Sequence, residues 1–164
     1  MTIIKDPNGN HVIQKILTTV PSEYTGFIMD AFRGEVAMVA KHQFGCRVIQ
    51  RMLEYGSEES KATILEELHQ SAPQLMVDQF ANYVIQHLIQ QGEAKDRSRM
   101  IGAVLQNLVL YSRHKFTSNV VETCIEGGSD EDRSDFRRRL SRDGGELREL
   151  VVDQFGNYVI RKSS

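Results

Sequence analysis

A five-residue phrase recurs along this chain at a nearly constant interval. Its third and fourth residues are always valine or isoleucine, and its first residue is asparagine, cysteine or serine. The copies begin at Asn10, Cys46, Asn82, Ser118 and Asn157, so successive copies are 36, 36, 36 and 39 residues apart. A fixed period of this length is typical of a repeat protein, in which each unit packs on its neighbours. The chain is therefore expected to be an array of about five small units.

The composition is that of a folded, globular chain. Of the 164 residues, 40% are hydrophobic and 26% are charged, which separates the chain from disordered and fibrous proteins. No apolar run approaches the roughly 18 residues of a membrane span, and the first residues lack the form of a signal peptide. We therefore expect a cytoplasmic protein that does not enter a membrane. The formal net charge of −2 argues against indiscriminate nucleic-acid binding but allows a locally basic groove.

The sequence does not predict a metal, disulfide or catalytic site. Cys46 and Cys124 fall at different positions of the repeat and lack the paired spacing of a zinc site or a disulfide framework. The histidines His42, His69 and His114 occur singly, without the paired nucleophile and base that covalent catalysis needs. We expect no cofactor and no enzymatic activity.

Each copy of the phrase is predicted to begin an amphipathic helix. At about 100° per residue, the third, fourth, seventh and eighth residues of a copy lie on one side of the helix, and the first, second, fifth and sixth lie on the other. In the first copy the apolar side holds Val12, Ile13, Ile16 and Leu17, and the next three copies divide in the same way. We expect this apolar side to be buried against other helices of the array.

The residues just before each copy predict how its helix is packed. A small residue stands directly before every copy, and a phenylalanine precedes that residue in four of the five. We interpret the small residue as allowing close packing and the aromatic ring as a core anchor where the helix begins. The small residues are Gly9, Gly45, Ala81, Thr117 and Gly156, preceded by Asn8, Phe44, Phe80, Phe116 and Phe155 in turn.

A second amphipathic segment and then a short apolar segment follow the motif. Turn residues such as Gly56 and Gly92 precede two of the second segments, and Ser129 and Asp132 have the spacing of a capping box before a third. No segment shows the sustained alternation of an amphipathic strand, so the predicted fold class is all-α, with two longer helices and one short leading helix per repeat. The three extra residues of the last interval are expected in a glycine-rich loop at 141–145.

The polar side of these helices is more uniform than a solvated face requires. Numbered from the start of each copy, position two carries mostly flat groups that can stack on nucleic-acid bases, and positions one and five carry groups that can contact base edges. The candidate stacking residues are His11, Arg47, Tyr83, Asn119 and Tyr158. The candidate base-edge residues are Asn10, Gln14, Cys46, Gln50, Asn82, Gln86, Ser118, Glu122, Asn157 and Arg161.

With these motifs the chain resembles the Pumilio, or PUF, family of RNA-binding repeat proteins over essentially its whole length. The resemblance implies a right-handed α-solenoid, a superhelix of three-helix repeats whose concave face binds RNA. The order of the motifs resembles the fourth to eighth of the family's usual eight repeats, so we expect part of a longer array. The expected repeats are 1–35 (partial), 36–71, 72–107, 108–146 and 147–164 (partial).

The resemblance also implies one base for each repeat. Uracil is implied for Asn10 with Gln14 and for Asn82 with Gln86, adenine for Cys46 with Gln50, and guanine for Ser118 with Glu122. A carboxylate such as that of Glu122 can accept hydrogen bonds from the N1 and N2 donors of guanine. Since RNA lies antiparallel to the protein in this family, the expected element is 5′-(U or C)GUAU-3′, with the position-two residues stacked on or between its bases.

The last copy departs from the family pattern. Arg161 stands where glutamine would complete a uracil-binding pair with Asn157, and arginine in this place favours cytosine in the family when position one is small. The implied base is therefore U or C, and Arg161 can alternatively reach a phosphate. At position six, Lys15, Arg51 and Lys162 are candidates either for phosphate contacts or for a solvated surface.

The two cysteines receive different interpretations. Cys46, at position one, is expected to make van der Waals contact with adenine, with burial inside the protein as the alternative. Cys124 falls on the apolar side of its helix and is assigned to the core.

By resemblance, the biological role is post-transcriptional. The implied ligand is single-stranded RNA in mRNA 3′ untranslated regions, and the implied outcome is translational repression or mRNA decay through deadenylase or decay factors bound on the outer surface. Two alternatives stay open: a protein-binding α-solenoid scaffold, and a low-specificity PUF-like RNA binder in ribosome assembly. The fixed phase of stacking and amide residues argues against the first, and the succession of U, A, U and G readers argues against the second.

Overall fold

The computed structural model describes residues 2–142 and 144–163. These residues form fourteen α-helices and one 3-10 turn, and within them there is no β-strand. The all-α fold predicted from the repeat pattern is confirmed. The chain divides into two compact units, Met1–Val84 (unit 1) and Ile85–Ser164 (unit 2), and the division falls inside a helix. None of the helices in the described residues is long and apolar enough to cross a membrane.

Unit 1 contains the first two copies of the motif and the start of the third. Two helices that begin at motif copies, α2 and α5, lie side by side, and the short α4 packs on α5 and α6. The elements of this unit are α1 (Thr2–Lys5), α2 (Gly9–Thr19), the 3-10 turn Ser22–Tyr24, α3 (Gly26–Asp30), α4 (Val36–Ala40), α5 (Gly45–Tyr55), α6 (Glu58–Gln70), α7 (Ala72–Met76) and the beginning of α8 (Ala81–Gln91).

Unit 2 contains the remainder of α8 and the last two copies of the motif. Its two later motif helices, α11 and α14, lie side by side, and α10 and α13 pack on them from their own repeats. The remaining elements of this unit are α9 (Ala94–Gln106), α10 (Leu108–Ser112), α11 (Thr117–Gly127), α12 (Asp130–Ser141), α13 (Gly144–Val152) and α14 (Gly156–Ser163).

The five motif helices, α2, α5, α8, α11 and α14, each begin at the small residue that precedes a copy of the phrase. The close packing predicted for that residue is confirmed at Gly45, where an added Cβ would lie 2.2 Å from the carbonyl oxygen of Val39. The four phenylalanines that stand before the small residues are half-buried, so they cover the beginning of the helix and lie at the edge of the core.

The apolar sides of the later motif helices form the core. The third-position valine is fully buried in four of the five copies, and the fourth-position residue is fully buried in α5, α8 and α11. Burying a side chain of this size stabilises the fold by about 1.5–3 kcal/mol. Ser129 and Asp132 form the capping box that their spacing predicted. Ser57 also accepts a hydrogen bond from an N–H group of the first turn of α6.

The first repeat departs from the prediction of two longer helices. After α2 the chain forms the 3-10 turn and the five-residue α3, where the next repeat has the thirteen-residue α6. The apolar side of α2 is correspondingly less covered: Val12 is 53% exposed, whereas Val48 is fully buried. The prediction that Val12 is buried was therefore wrong, because burial depends on a neighbouring helix that the motif alone does not supply.

The last interval also differs from the expected glycine-rich loop at 141–145. Ser141 ends α12, and both Gly144 and Gly145 belong to α13, while Asp143 lies outside the described residues. α13 has nine residues, whereas α4, α7 and α10 have five each, so the longer interval is taken up largely by the leading helix. A 2.8 Å contact between Arg139 Nη1 and Glu146 Oε2 joins this helix to α12.

Candidate nucleic-acid interface

The position-two side chains are exposed in all five motif helices. These residues are the ones predicted to stack: His11, Arg47, Tyr83, Asn119 and Tyr158. Tyr83 and Tyr158 are each 55% exposed although they are large aromatic residues. The guanidinium carbon of Arg161 lies 5.8 Å from the ring centroid of Tyr158, close enough for a cation–π interaction. Each motif helix therefore presents one accessible side chain at this position, four of the five with a planar aromatic or guanidinium group.

The position-one side chains are directed into the protein and hydrogen-bonded to the preceding turn. The Nδ2 atom of Asn10 donates to the carbonyl oxygens of Asp6 and Pro7, at 3.0 and 2.8 Å. Asn82 and Asn157 donate in the same way to the carbonyl oxygens of Asp78 and Asp153, both at 2.8 Å. Because only an amide NH₂ can donate to these carbonyl groups, the Oδ1 atom of each asparagine must point the other way.

The position-one residues of α5 and α11 have smaller side chains than asparagine, and each bonds to a backbone carbonyl oxygen three residues earlier. Cys46 Sγ donates to the carbonyl oxygen of Gln43 at 3.4 Å, and Ser118 Oγ donates to that of Lys115 at 3.5 Å. Both side chains are almost completely buried, with 4% and 3% exposed. A base edge at these repeats would therefore meet a shallow surface, unlike the longer amide of an asparagine.

The position-five side chains differ in burial and in partner. Gln14 is half-buried and donates from Nε2 to Asn10 Oδ1 at 3.0 Å. Gln50 is buried, while Arg161 is exposed. Gln86 is half-buried, and its Oε1 atom lies 3.2 Å from Thr123 Oγ1 in the following motif helix. Positions one and five thus lie one helical turn apart and, in the first repeat, already form a hydrogen-bonded pair.

Glu122 is the only acidic residue among the candidate base-edge residues, and its pKa is raised by its surroundings. Burial raises the pKa of Glu122 above that of an ordinary glutamic acid, the ammonium group of Lys162 acts to lower this pKa, and the carboxylate of Glu126 raises it further. The carboxylate is half-buried, so it can still reach a ligand at the surface of α11. It is suited to accept hydrogen bonds from a donor pair such as that of guanine.

Two of the three residues predicted as possible phosphate contacts have carboxylate partners. Arg51 forms an ion pair with Glu54, and Lys162 forms one with Glu126, which joins α14 to α11. The hydrogen bond to Glu126 also raises the pKa of Lys162. Lys15 is exposed on α2. Lys162 therefore joins two motif helices, whereas Arg51 pairs within its own helix.

A further set of residues was missed by the sequence analysis. Four residues before each position-one residue, a side chain accepts hydrogen bonds from backbone N–H groups where the motif helix begins. We term these the capping residues: Asp6, His42, Asp78, His114 and Asp153. Hydrogen bonds from the N–H groups of Gly156 and Phe155 lower the pKa of Asp153. Their constant distance from the motif was a signal that the sequence contained.

The cysteines are buried thiols. Burial raises the pKa of both Cys46 and Cys124, and Cys124 is fully buried, as its assignment to the core predicted. Among residues 2–142 and 144–163, no group of three or more histidine, cysteine, aspartate or glutamate side chains is placed to hold a metal ion.

Comparison with known proteins identifies the repeat. The family described as "PUF: Pumilio-family RNA binding repeat" matches residues 1–31, 35–69, 72–105, 107–135 and 147–163. Among known sequences, "Putative pumilio homolog 7, chloroplastic" from Arabidopsis thaliana is 44% identical over 46 residues, which are 28% of this chain and 7% of that protein.

Solved structures match over nearly the whole chain. PUF-8 in complex with PBE-RNA is 32% identical with a TM-score of 0.92, over 99% of this chain and 49% of PUF-8. The Puf3 RNA binding domain bound to a Cox17 RNA 3′ UTR recognition sequence is 40% identical with a TM-score of 0.89, over 98% of this chain and 52% of Puf3. Yeast Puf5p bound to SMX2 RNA is 30% identical with a TM-score of 0.86, over 99% of this chain and 50% of Puf5p. This chain spans about half the length of these solved relatives.

Fold and motif together define an all-α repeat protein of the α-solenoid class, in which one side of each motif helix is polar. The chain belongs to the Pumilio family of RNA-binding repeat proteins.

Proposed function

We propose that this chain binds single-stranded RNA with one base at each motif helix and prefers the element 5′-(U or C)GUAU-3′. The proposal rests chiefly on one arrangement that recurs in every motif helix. An exposed position-two side chain stands beside a position-one side chain that is hydrogen-bonded to the preceding turn. The exposed group can stack on a base, while the fixed group and position five can contact the base edge.

The assignment of bases follows the donors and acceptors at positions one and five. An asparagine and a glutamine offer both donors and acceptors, which uracil requires, and α2 and α8 carry this pair. In α5, the small Cys46 with Gln50 leaves room for adenine, and in α11 Ser118 with Glu122 accepts from the donors of guanine. The helix α14, with Asn157 and Arg161, is assigned to the first base, U or C.

The proposed cellular role is inferred from the RNA that a relative binds. The Puf3 RNA binding domain is bound to a 3′ UTR recognition sequence in its solved structure, which supports a target of the same kind for this chain. We infer that the protein acts in the cytoplasm on mRNA 3′ untranslated regions, in translational repression or mRNA decay. Deadenylase or decay factors bound on its outer surface would carry out that role.

The test is binding of short RNAs at a fixed, stated salt concentration, because phosphate contacts make affinity depend on salt. We expect 5′-UGUAU-3′ to bind more tightly than 5′-UAUAU-3′, by a factor of about 5 to 150, the range for one bidentate base contact. The double variant Ser118→Asn with Glu122→Gln is expected to shift the preference at the second base from G to U.

Two results would reject this proposal. Equal affinity for all base-changed RNAs would point to a low-specificity RNA binder, and absence of RNA binding by the folded protein would point to a protein-binding scaffold. Circular dichroism of the same samples establishes that the protein is folded in each measurement. Fluorescence anisotropy of labelled RNA gives the affinities.

A further inference from the structure

Each capping residue is joined to its motif helix through the side chain and, in three repeats, to the position-one side chain through the backbone. In the third repeat, Asp78 Oδ1 accepts from the N–H groups of Phe80 and Ala81 at 2.8 and 2.9 Å. The carbonyl oxygen of Asp78 accepts from Asn82 Nδ2 at 2.8 Å. One residue therefore fixes both the beginning of the helix and the amide that is proposed to contact the base.

The same arrangement is repeated in the first and last repeats. Asp6 Oδ1 accepts from the N–H groups of Asn8 and Gly9 at 2.9 and 2.7 Å, and its carbonyl oxygen accepts from Asn10 Nδ2. Asp153 Oδ1 accepts from the N–H groups of Phe155 and Gly156, both at 2.9 Å, and its carbonyl oxygen accepts from Asn157 Nδ2.

The other two repeats use histidine. His42 Nδ1 accepts from the N–H of Phe44 at 3.2 Å, and His114 Nδ1 accepts from the N–H groups of Phe116 and Thr117 at 3.2 and 3.4 Å. The position-one residues here are Cys46 and Ser118, which bond to the carbonyl oxygen one residue after the histidine. In this chain, aspartate thus accompanies asparagine at position one, and histidine accompanies a small residue.

The chemistry of the two capping groups explains the difference in hydrogen-bond length. A carboxylate oxygen has lone pairs for two N–H donors, whereas the neutral imidazole has a single acceptor nitrogen with one lone pair. Bonds to the charged carboxylate are accordingly shorter, at 2.7–2.9 Å, than bonds to the imidazole, at 3.2–3.4 Å. The beginning of a motif helix is therefore fixed by shorter hydrogen bonds where the capping residue is aspartate than where it is histidine.

We propose that the capping residues are positioning residues for base readout, with aspartate holding the asparagine amide of a uracil reader and histidine fitting the turn to the small side chain of a purine reader. This inference rests on the proposed function. Base choice in a repeat is then set by three positions, since the capping residue acts through position one although it does not touch the base.

The sharpest test changes the capping residue together with the base-edge residues of the repeat proposed to bind guanine. The double variant Ser118→Asn with Glu122→Gln places a new asparagine after His114, and the triple variant with His114→Asp supplies the carboxylate that accompanies asparagine elsewhere. We expect the triple variant to prefer U over G at the second base about fivefold more strongly than the double variant does, since losing a cap costs about 1 kcal/mol. The measurement is the ratio of affinities for 5′-UUUAU-3′ and 5′-UGUAU-3′.

The converse test removes one cap from a uracil reader. Asp78→Ala is expected to reduce discrimination at the third base of the RNA about fivefold while discrimination at the second base is kept. Asp78→Asn retains an Oδ1 acceptor and is expected to restore the third-base preference. Asp130→Ala removes a fully exposed carboxylate from the first turn of α12 and serves as the matched control, with both preferences unchanged.

The outcomes separate this inference from the proposed function. If the unmodified protein does not discriminate among the RNAs, the proposed function fails and this inference fails with it. If the unmodified protein discriminates, but the triple variant is no more selective than the double variant and Asp78→Ala weakens all RNAs equally, only the positioning role is rejected. If circular dichroism shows that the Asp78→Ala variant is unfolded, the comparison of the triple and double variants alone decides whether the positioning role is kept or rejected.

Discussion

Gln14 and Asn10 are hydrogen-bonded to each other across one turn of α2, with Gln14 Nε2 donating to Asn10 Oδ1 at 3.0 Å. Asn10 cannot turn its amide around, because its Nδ2 atom is already bound to the carbonyl oxygens of Asp6 and Pro7. The two residues proposed to contact one uracil are therefore a single unit, whose orientation is set by the backbone of the preceding turn.

This relationship predicts that the two positions must be changed together. Gln14→Glu alone places a carboxylate against Asn10 Oδ1, and two acceptors facing each other repel. We expect the single variant to lose about tenfold in affinity for 5′-UGUAU-3′ and to gain no preference for G at the last base. Asn10→Ser with Gln14→Glu reproduces the pair in α11 and is expected to prefer 5′-UGUAG-3′. A single variant that preferred G would contradict the coupling.

The raised pKa of Glu122 predicts a pH dependence for guanine recognition. Burial favours the protonated form, so as the pH falls this carboxylate becomes neutral at a higher pH than an ordinary glutamate would, and it then loses an acceptor for guanine. The sign for stability is opposite: the cost of burying the charged form is present at neutral pH and is relieved as the pH falls through the raised pKa.

The measurement is the ratio of affinities for 5′-UGUAU-3′ and 5′-UAUAU-3′ as a function of pH. We expect the ratio to decline toward acidic pH in the unmodified protein and to be independent of pH in Glu122→Gln, whose side chain does not titrate. A decline of equal size in both proteins would assign the pH dependence to other groups.

Phe136 is fully buried in unit 2, whereas Phe27 is 69% exposed on α3. Phe136→Ala is expected to lower the free energy of unfolding by about 3–5 kcal/mol, since it removes a large side chain and leaves a cavity. Phe27→Ala is expected to alter the free energy of unfolding by less than about 0.5 kcal/mol. Urea unfolding followed by circular dichroism compares the two, and a similar loss in both variants would contradict the core assignment.

Gly45 and Gly102 provide a matched pair for the packing of a motif helix. An added Cβ at Gly45 would lie 2.2 Å from the Val39 carbonyl oxygen and 2.9 Å from Val39 Cγ1, whereas at Gly102 no atom lies within 4 Å. Gly45→Ala is expected to lower the free energy of unfolding by about 1–3 kcal/mol through overpacking. Gly102→Ala, inside α9, is expected to raise it by about 0.5–1 kcal/mol, because alanine favours the helix. Thermal or urea unfolding measures whether each variant is less or more stable than the unmodified protein.

The periodic phrase was sufficient to predict the motif helices and their apolar sides. Gly9 and Gly45 mark where their helices begin, and Val48 and Val84 are buried, as a period of 3.6 residues requires. Val12 was mispredicted because the burial of an apolar side depends on the helices packed against it, and the second helix of the first repeat, α3, has only five residues. Amphipathicity shows which side of a helix is apolar, but tertiary neighbours determine how much of that side is covered.

The local hydrogen bonds of the site were less accessible from sequence. The exposure of the position-two residues follows from helix geometry, and the structure places them accordingly. Asn10 donates two hydrogen bonds to the preceding turn, and His42 accepts a hydrogen bond from a backbone N–H group. Both depend on turn geometry that composition does not specify. Whether a polar side chain bonds to its own backbone or faces outward is decided by competition between the two.

Because Asn10, Asn82 and Asn157 are hydrogen-bonded to their own backbone, the fold itself sets their rotamers. A ligand then meets side chains that need little ordering, and the conformational entropy that flexible amides would lose on association has been lost beforehand. If the chain binds RNA as proposed, we expect its base selectivity to be set by these fixed side chains and a wrong base to be rejected mainly by faster dissociation.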